Sequence, residues 1–283
     1  MELWSDEILD ALERNLVLAN LVNTDFSGMI QGKGDKINIP MISNLTANTK
    51  VANTAVTVQA PDAESCAAIT IDQHKEVSFL VEDFAEIQTS FVLRNAYTKR
   101  AGYAIALALD SALLALGEGA WDIIDATSTG NASVLVEDDI LIAKTILDEN
   151  LTPLEDRHIV IGPQQYNQLL SIDRFTAYEK LGPNGGGTPI QRGLLGAIHG
   201  FQVWMSQQLT ATGTGTADTC NTLFFHRDAL TLAVQLSPRV QVNYIPEYLG
   251  FLVTTDIIYG LATLRADWGV IVQNDAITYS LVT

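Results

Sequence analysis

Gly182, Gly185, Gly186 and Gly187, interspersed with Asn184 and Thr188, are the residues of this chain best suited to baring backbone N–H groups toward a phosphate. A nucleotide cradle also needs the G-x-x-x-x-G-K-[ST] spacing and its lysine, and residues 182–189 have neither, so they read as a loop. The G-x-S-x-G turn of serine hydrolases and the H-E-x-x-H pair of zinc proteases do not occur. His74, His158, His199 and His226 are scattered without ligand spacing and read as structural residues. Glu137, Asp138 and Asp139 put three carboxylates side by side, a candidate acidic metal site. They stand where a helix should begin, however, and there carboxylates complement the positive end of the helix dipole. Cys66 and Cys220 are far apart and fit neither a metal spacing nor a disulfide framework. No residue is assigned a catalytic, cofactor-binding or metal role, and no cofactor is expected.

The elements that would position any such groups begin with a chain of 283 residues, 47% hydrophobic and 17% charged, which is too apolar for disorder and long enough for a sizeable core. Its 33 acidic residues outnumber 16 basic ones, and a formal charge of -17 repels phosphate backbones and anionic lipid. Neither specific nucleic-acid binding nor membrane association is expected. The first residues, Glu2, Asp6 and Glu7 among them, are acidic where an export signal would be basic. The apolar stretch 103–116 is interrupted by Asp110 and Ser111 and falls short of the roughly 20 residues a bilayer requires. It reads as a core helix.

Along the chain, Ser5 followed by Asp6 and Glu7 marks a helix start, with Ile8, Leu9, Leu12 and Leu16 on one stripe. Residues 35–40 alternate and stop at Pro40, as an edge strand does. Residues 43–65 contain no aromatic residue and no glycine, and their Ser, Thr, Asn, Ala and Val content cannot make a core. Ile69, Ile71, Val77, Phe79 and Val81 then resume a period of two opposite Thr70, Asp72, His74, Glu76 and Ser78. The two strands are expected to flank a projecting loop, which needs a partner surface because an isolated hairpin is marginal in water. From residue 82 to about 116 there is no proline, and apolar residues recur every three or four positions, predicting a helix on the order of 50 Å long. A turn at 127–131 leads to a helix over 134–149, a strand over 157–161, and a helix with Pro163 at its first position. Strands are expected over 201–205, 223–226 and 230–234, with a loop over 210–222 and long paired strands over 240–283.

Gly193, Gly196 and Gly200 punctuate a segment running into Phe201, Val203 and Ser206, and Tyr259 and Gly260 precede Leu264, Arg265, Asp267, Trp268 and Gly269. These residues match G-x-x-G-x-I-x-G-F-x-V-x-x-S and Y-G-x-x-x-L-R-x-D-W-G, and in them the chain resembles tailed-phage major capsid proteins of the Hong Kong 97-type fold. The resemblance implies an α+β subunit with an N-terminal arm at 1–31, an extended two-stranded loop at 32–81 lying across a neighbour, and a peripheral domain with a long spine helix at 82–131. An apical α/β domain at 132–239 and returning strands at 240–283 complete it. It further implies a non-enzymatic protein of the virion, assembled in the host bacterial cytoplasm. Its partners would be itself, in hexamers and pentamers, a separate scaffolding protein, a portal and a decoration protein. The chain starts directly at the arm, which fits a separate scaffold or a trimmed form. Lys33, Lys36, Lys50 and Lys75 lie in or beside the loop, where some capsids of this fold cross-link lysine to asparagine; such cross-linking is not expected here. The alternatives are an encapsulin-type bacterial shell protein and an α/β enzyme.

Overall fold

The computed structural model describes residues 17–29, 36–40, 47–56, 58, 66–82, 92–125, 134–172, 196–209 and 219–275. The helix read near Ser5, the turn at 127–131, the glycine-rich stretch 182–189, Gly193 and Lys33 lie outside them.

Residues 17–29 form a strap of two short 3-10 turns, Leu18–Asn20 and Asp25–Met29, with Leu18, Ala19, Leu21 and Val22 buried. Strand β1 (Lys36–Pro40) pairs antiparallel with β2 (Cys66–Thr70), Lys36 opposite Thr70 and Pro40 opposite Cys66. The period-two run over 69–81 is therefore two strands rather than one. It breaks at Ile71 and Asp72, and β3 (Gln73–Glu82) pairs with a different partner, β10 (Gly250–Thr263). The crossing is tight: a Cβ on Gly260 of β10 would sit 2.4 Å from the Thr70 carbonyl oxygen, so only glycine fits there.

Helix α1 (Val92–Ala120) has 29 residues, roughly 43 Å at 1.5 Å per residue. Glu82, expected to open it, is instead the last residue of β3, opposite Gly250. The helix also runs four residues beyond the expected end, through Gly117 and Gly119, because the Trp121 ring packs against the bare Gly117 at its C-terminus. Strand β4 (Asp122–Asp125) follows, unread in the sequence because its two isoleucines lie between aspartates.

Helix α2 (Glu137–Glu149), strand β5 (Arg157–Ile161) and helix α3 (Pro163–Leu170) follow the sequence pattern closely, with Pro163 in the first turn of α3. Next come β6 (Ala197–Ile198), β7 (Phe201–Met205), β8 (Thr219–His226), β9 (Leu230–Ile245), β10 and β11 (Gly269–Asp275). Residues 219–222, expected in a loop, belong to β8 because they pair with β11. Similarly, β9 runs well past Val234 because β10 lies beside it as far as Ile245.

Two larger sheets carry the body: β3-β10-β9 and β4-β11-β8-β5-β7-β6. The six-stranded sheet separates two cores by side-chain alternation. Leu223 and Phe225 of β8 and Ile271 of β11 face α1 (Ile105, Leu109, Leu113) and the strap. Phe224, Val270 and Val272 face α2 and α3, meeting Ile140, Leu147 and Leu169. Covered on both sides, β5 is buried at all five positions, with Ile159, Val160 and Ile161 as an apolar run after the buried Arg157 and His158.

Candidate functional site

The glycine signature builds a hairpin. Ile198 pairs with Phe201 and Ala197 with Gln202, leaving His199 and Gly200 as a two-residue turn with φ of 49° and 92°. Positive φ at both positions is the primed turn whose twist suits a hairpin, and Gly200 takes the second without a Cβ penalty. Gly196, at φ 66°, accepts from the Val203 N–H at 2.9 Å and closes the motif. Phe201 is thereby driven into the core edge-on to Phe224, ring centroids 5.6 Å apart. His199 Nε2 lies 3.2 Å from Glu137 Oε1, tying the hairpin turn to the start of α2.

The three acidic residues at that start do not converge. Glu137 meets His199, Asp138 is exposed, and the buried Asp139 accepts the Val136 N–H at 3.0 Å as a helix cap. The histidines also stay apart. His158 is buried against the Phe225 ring, and burial pushes its pKa below the ordinary value. His226 Nδ1 accepts from the Asp228 N–H at 3.1 Å, its ring stands edge-on to Trp268, and burial lowers its pKa as well. His74 Nε2 lies 3.1 Å from Asp256, a nearly buried carboxylate that Arg239 clamps with two N–H bonds of 2.8 and 3.0 Å. That clamp holds Asp256 below the usual carboxylate range and spans β3, β10 and β9. Among the described residues no group of three His, Cys, Asp or Glu could hold a metal ion. Cys220 is buried with its thiol 3.6 Å from Gln164 Oε1.

The second signature closes the body. Leu264 and Arg265 both donate backbone N–H to Ala229 O, and the Arg265 guanidinium stacks 4.2 Å over the Trp268 ring. Gly269 lets the Trp121 ring lie flat on the chain; a Cβ there would come within 2.1 Å of it. Asn23, which the sequence reading missed, organises the same corner. Its N–H reaches the Arg227 and Leu230 carbonyls, its carbonyl accepts from Leu232 and Thr231, and its side chain bonds Asp228 and the Asp25 N–H. The only local signal was the Asn-Thr-Asp sequence typical of a turn. A cleft of about 400 Å³ lies here, between Phe26, Ile39, Pro40, Asp228, Arg265 and Trp268.

Among the described residues apolar side chains are left uncovered at Leu151, Leu154, Tyr248 and Leu249, on the outer face of α1, and beyond β1 and β2. On α1, Tyr103, Ala104, Leu107, Ser111, Ala115 and Gly119 are exposed, and no charged residue lies between Gly102 and Gly117 except the buried Asp110. A solvated helix face normally carries charge. Tyr97–Ala120 is long and apolar enough to cross a bilayer, a longer stretch than 103–116, but half of its most apolar window is buried and Leu109, Leu113 and Leu114 serve the core. Beyond β1 and β2, Val51, Val56 and Val58 are 63–85% exposed in a segment where Lys50 Nζ and Thr54 Oγ1 bond the Val51 carbonyl.

A family model described as phage capsid protein matches residues 27–274. No curated protein matches. Among solved structures, one of Mycobacterium phage Che8 is similar at 22% identity and a TM-score of 0.74, with 91% of this chain and 90% of that chain covered. The capsid of cyanophage P-SCSP1u is similar at 18% and 0.71, covering 91% and 87%. The capsid of Ralstonia phage GP4 is similar at 15% and 0.67, covering 92% and 88%.

Proposed function

The chain belongs to the phage capsid protein family and is a structural major capsid protein, and from that premise we propose that its copies close into an icosahedral head around double-stranded DNA without any turnover chemistry. The family match carries the reading: it spans the β1–β2 pair, the long helix and both large sheets. An encapsulin-type shell is not favoured by it. The segment beyond β1 and β2 and the uncharged face of α1 are apolar surfaces that one subunit leaves open, and in the shell each covers the other across a subunit boundary. The division into arm (1–31), extended loop (32–81), peripheral domain (82–131), apical domain (132–239) and returning strands (240–283) belongs to the same reading, with β9 running unbroken across residues 239 and 240.

Assembly takes place in the host cytoplasm with a separate scaffold and portal, and decoration proteins add to the outside. With a formal charge of -17 per copy, the lining facing DNA is neutral to acidic, because a basic lining would hold phosphates by counterion release. Density-gradient sedimentation of the chain, expressed alone and together with its scaffolding protein, with gel-shift titration of the free subunit, tests the proposal. Closed shells and negligible DNA affinity at physiological salt are expected. Submicromolar DNA binding, or a chain that stays monomeric at every salt even with the scaffold present, contradicts it.

A further inference from the structure

Asp110 is a carboxylate in the wrong place for a core helix. It lies within α1, is 2% exposed, and stands among the buried Ala106, Leu109 and Leu113 along the helix sequence. Its partners are backbone groups of the strap: the Leu18 N–H donates to Oδ1 at 3.1 Å, and the Val17 and Ala19 N–H groups also serve it. The strap has no regular helix or strand to satisfy those donors, so one side chain of α1 gathers the start of the 3-10 turn. Asn23 then secures the far end against β9 and the turn Arg227–Ala229.

We propose that Asp110 and the strap form a proton-operated latch, tightest when the carboxyl is neutral, that fixes where residues 1–16 join the subunit body. A neutral carboxyl keeps an oxygen for the Leu18 N–H without burying a charge, whereas the ionised form must be held in an apolar site. Burial outweighs the three N–H bonds and holds the Asp110 carboxyl above the ordinary aspartate value. A raised folded value means that the group's contribution is complete below the unfolded value of 3.8 and is lost as pH rises through the folded one. The latch is thus looser above the folded value of Asp110 than below it.

No neighbouring charge contributes to that balance. The strap from Val17 to Val22 and the packed turn 206–209 carry no titratable group, and on α1 the nearest charges, Arg100 and Glu118, are roughly two turns or more away. On the strands facing α1, Asp256 is occupied by Arg239 and His74, Tyr259 is a phenol with a raised pKa, and His226 is bonded to the Asp228 N–H.

The test compares thermal unfolding of the full-length soluble subunit with that of Asp110→Asn, the neutral isostere, from pH 8 down to the unfolded value of 3.8. The variant should melt a few degrees above the parent at pH 8, and the gap should close as pH falls. A gap that does not change with pH, or a variant that melts lower at pH 8, overturns the latch. Should the variant not fold, the parent decides: the Asp110 carboxyl carbon, followed by NMR, should titrate above 3.8, with exchange protection of the Leu18 amide rising as it protonates. Titration at or below that value, or Leu18 protection that ignores it, refutes the proposal.

Discussion

The six-stranded sheet and the β1–β2 pair are two ways of ending a sheet. The first has both faces covered, by α1 and the strap on one side and by α2 and α3 on the other, so that β5 and most of β8 are buried within one subunit. The second has only a small cluster beneath it, in which Ile69 and Ala233 are the buried members, and Val51, Val56 and Val58 beyond it face solvent. One region is finished by its own chain, and the other supplies apolar surface that its own subunit does not cover. A shell-forming protein needs both, a body stable before assembly and surfaces satisfied only by it.

Substitutions can break that contrast, and the largest effect should come from the finished region. Phe224→Ala removes a fully buried ring packed edge-on to Phe201 and should cost about 4 kcal/mol, read by denaturant titration of the soluble subunit. A cost below 1 kcal/mol would mean that this core is not the stable part. Next comes Gly200→Val, which forces a β-branched residue to a φ of 92° in the hairpin turn. It should cost about 2 kcal/mol by the same titration. The smallest stability change is expected at the open face of α1. Leu107→Glu, at a position 40% exposed, should move subunit stability by less than about 0.5 kcal/mol while reducing the yield of closed shells on a gradient. If that variant unfolds the subunit, or assembles normally, the face is not an assembly surface.

Local pattern made the finished region legible. Pro163 in the first turn of α3, the apolar run 159–161 in β5, the carboxylates opening α2 and the glycines before Phe201 each specify a conformation within a few residues. What stayed hidden depends on distant partners. Alternation over 69–81 tells which residues share a face, but not that the chain leaves β1 at Ile71 to join β10. The length of β9 follows from β10 lying beside it, and the Asp256 clamp from Arg239 and His74 meeting across three strands. Asp110 reads in sequence as an interruption of an apolar helix, and only the folded strap shows what it holds.

The central claim, that the uncovered segment beyond β1 and β2 exists to join subunits, is tested most directly by deleting residues 43–65 and viewing parent and variant side by side by negative-stain electron microscopy. Each expressed with the scaffold, the parent should form closed shells, and the deletion should give a soluble subunit with an unchanged circular dichroism spectrum and no shells. Shells of normal size and yield from the deletion would contradict the account.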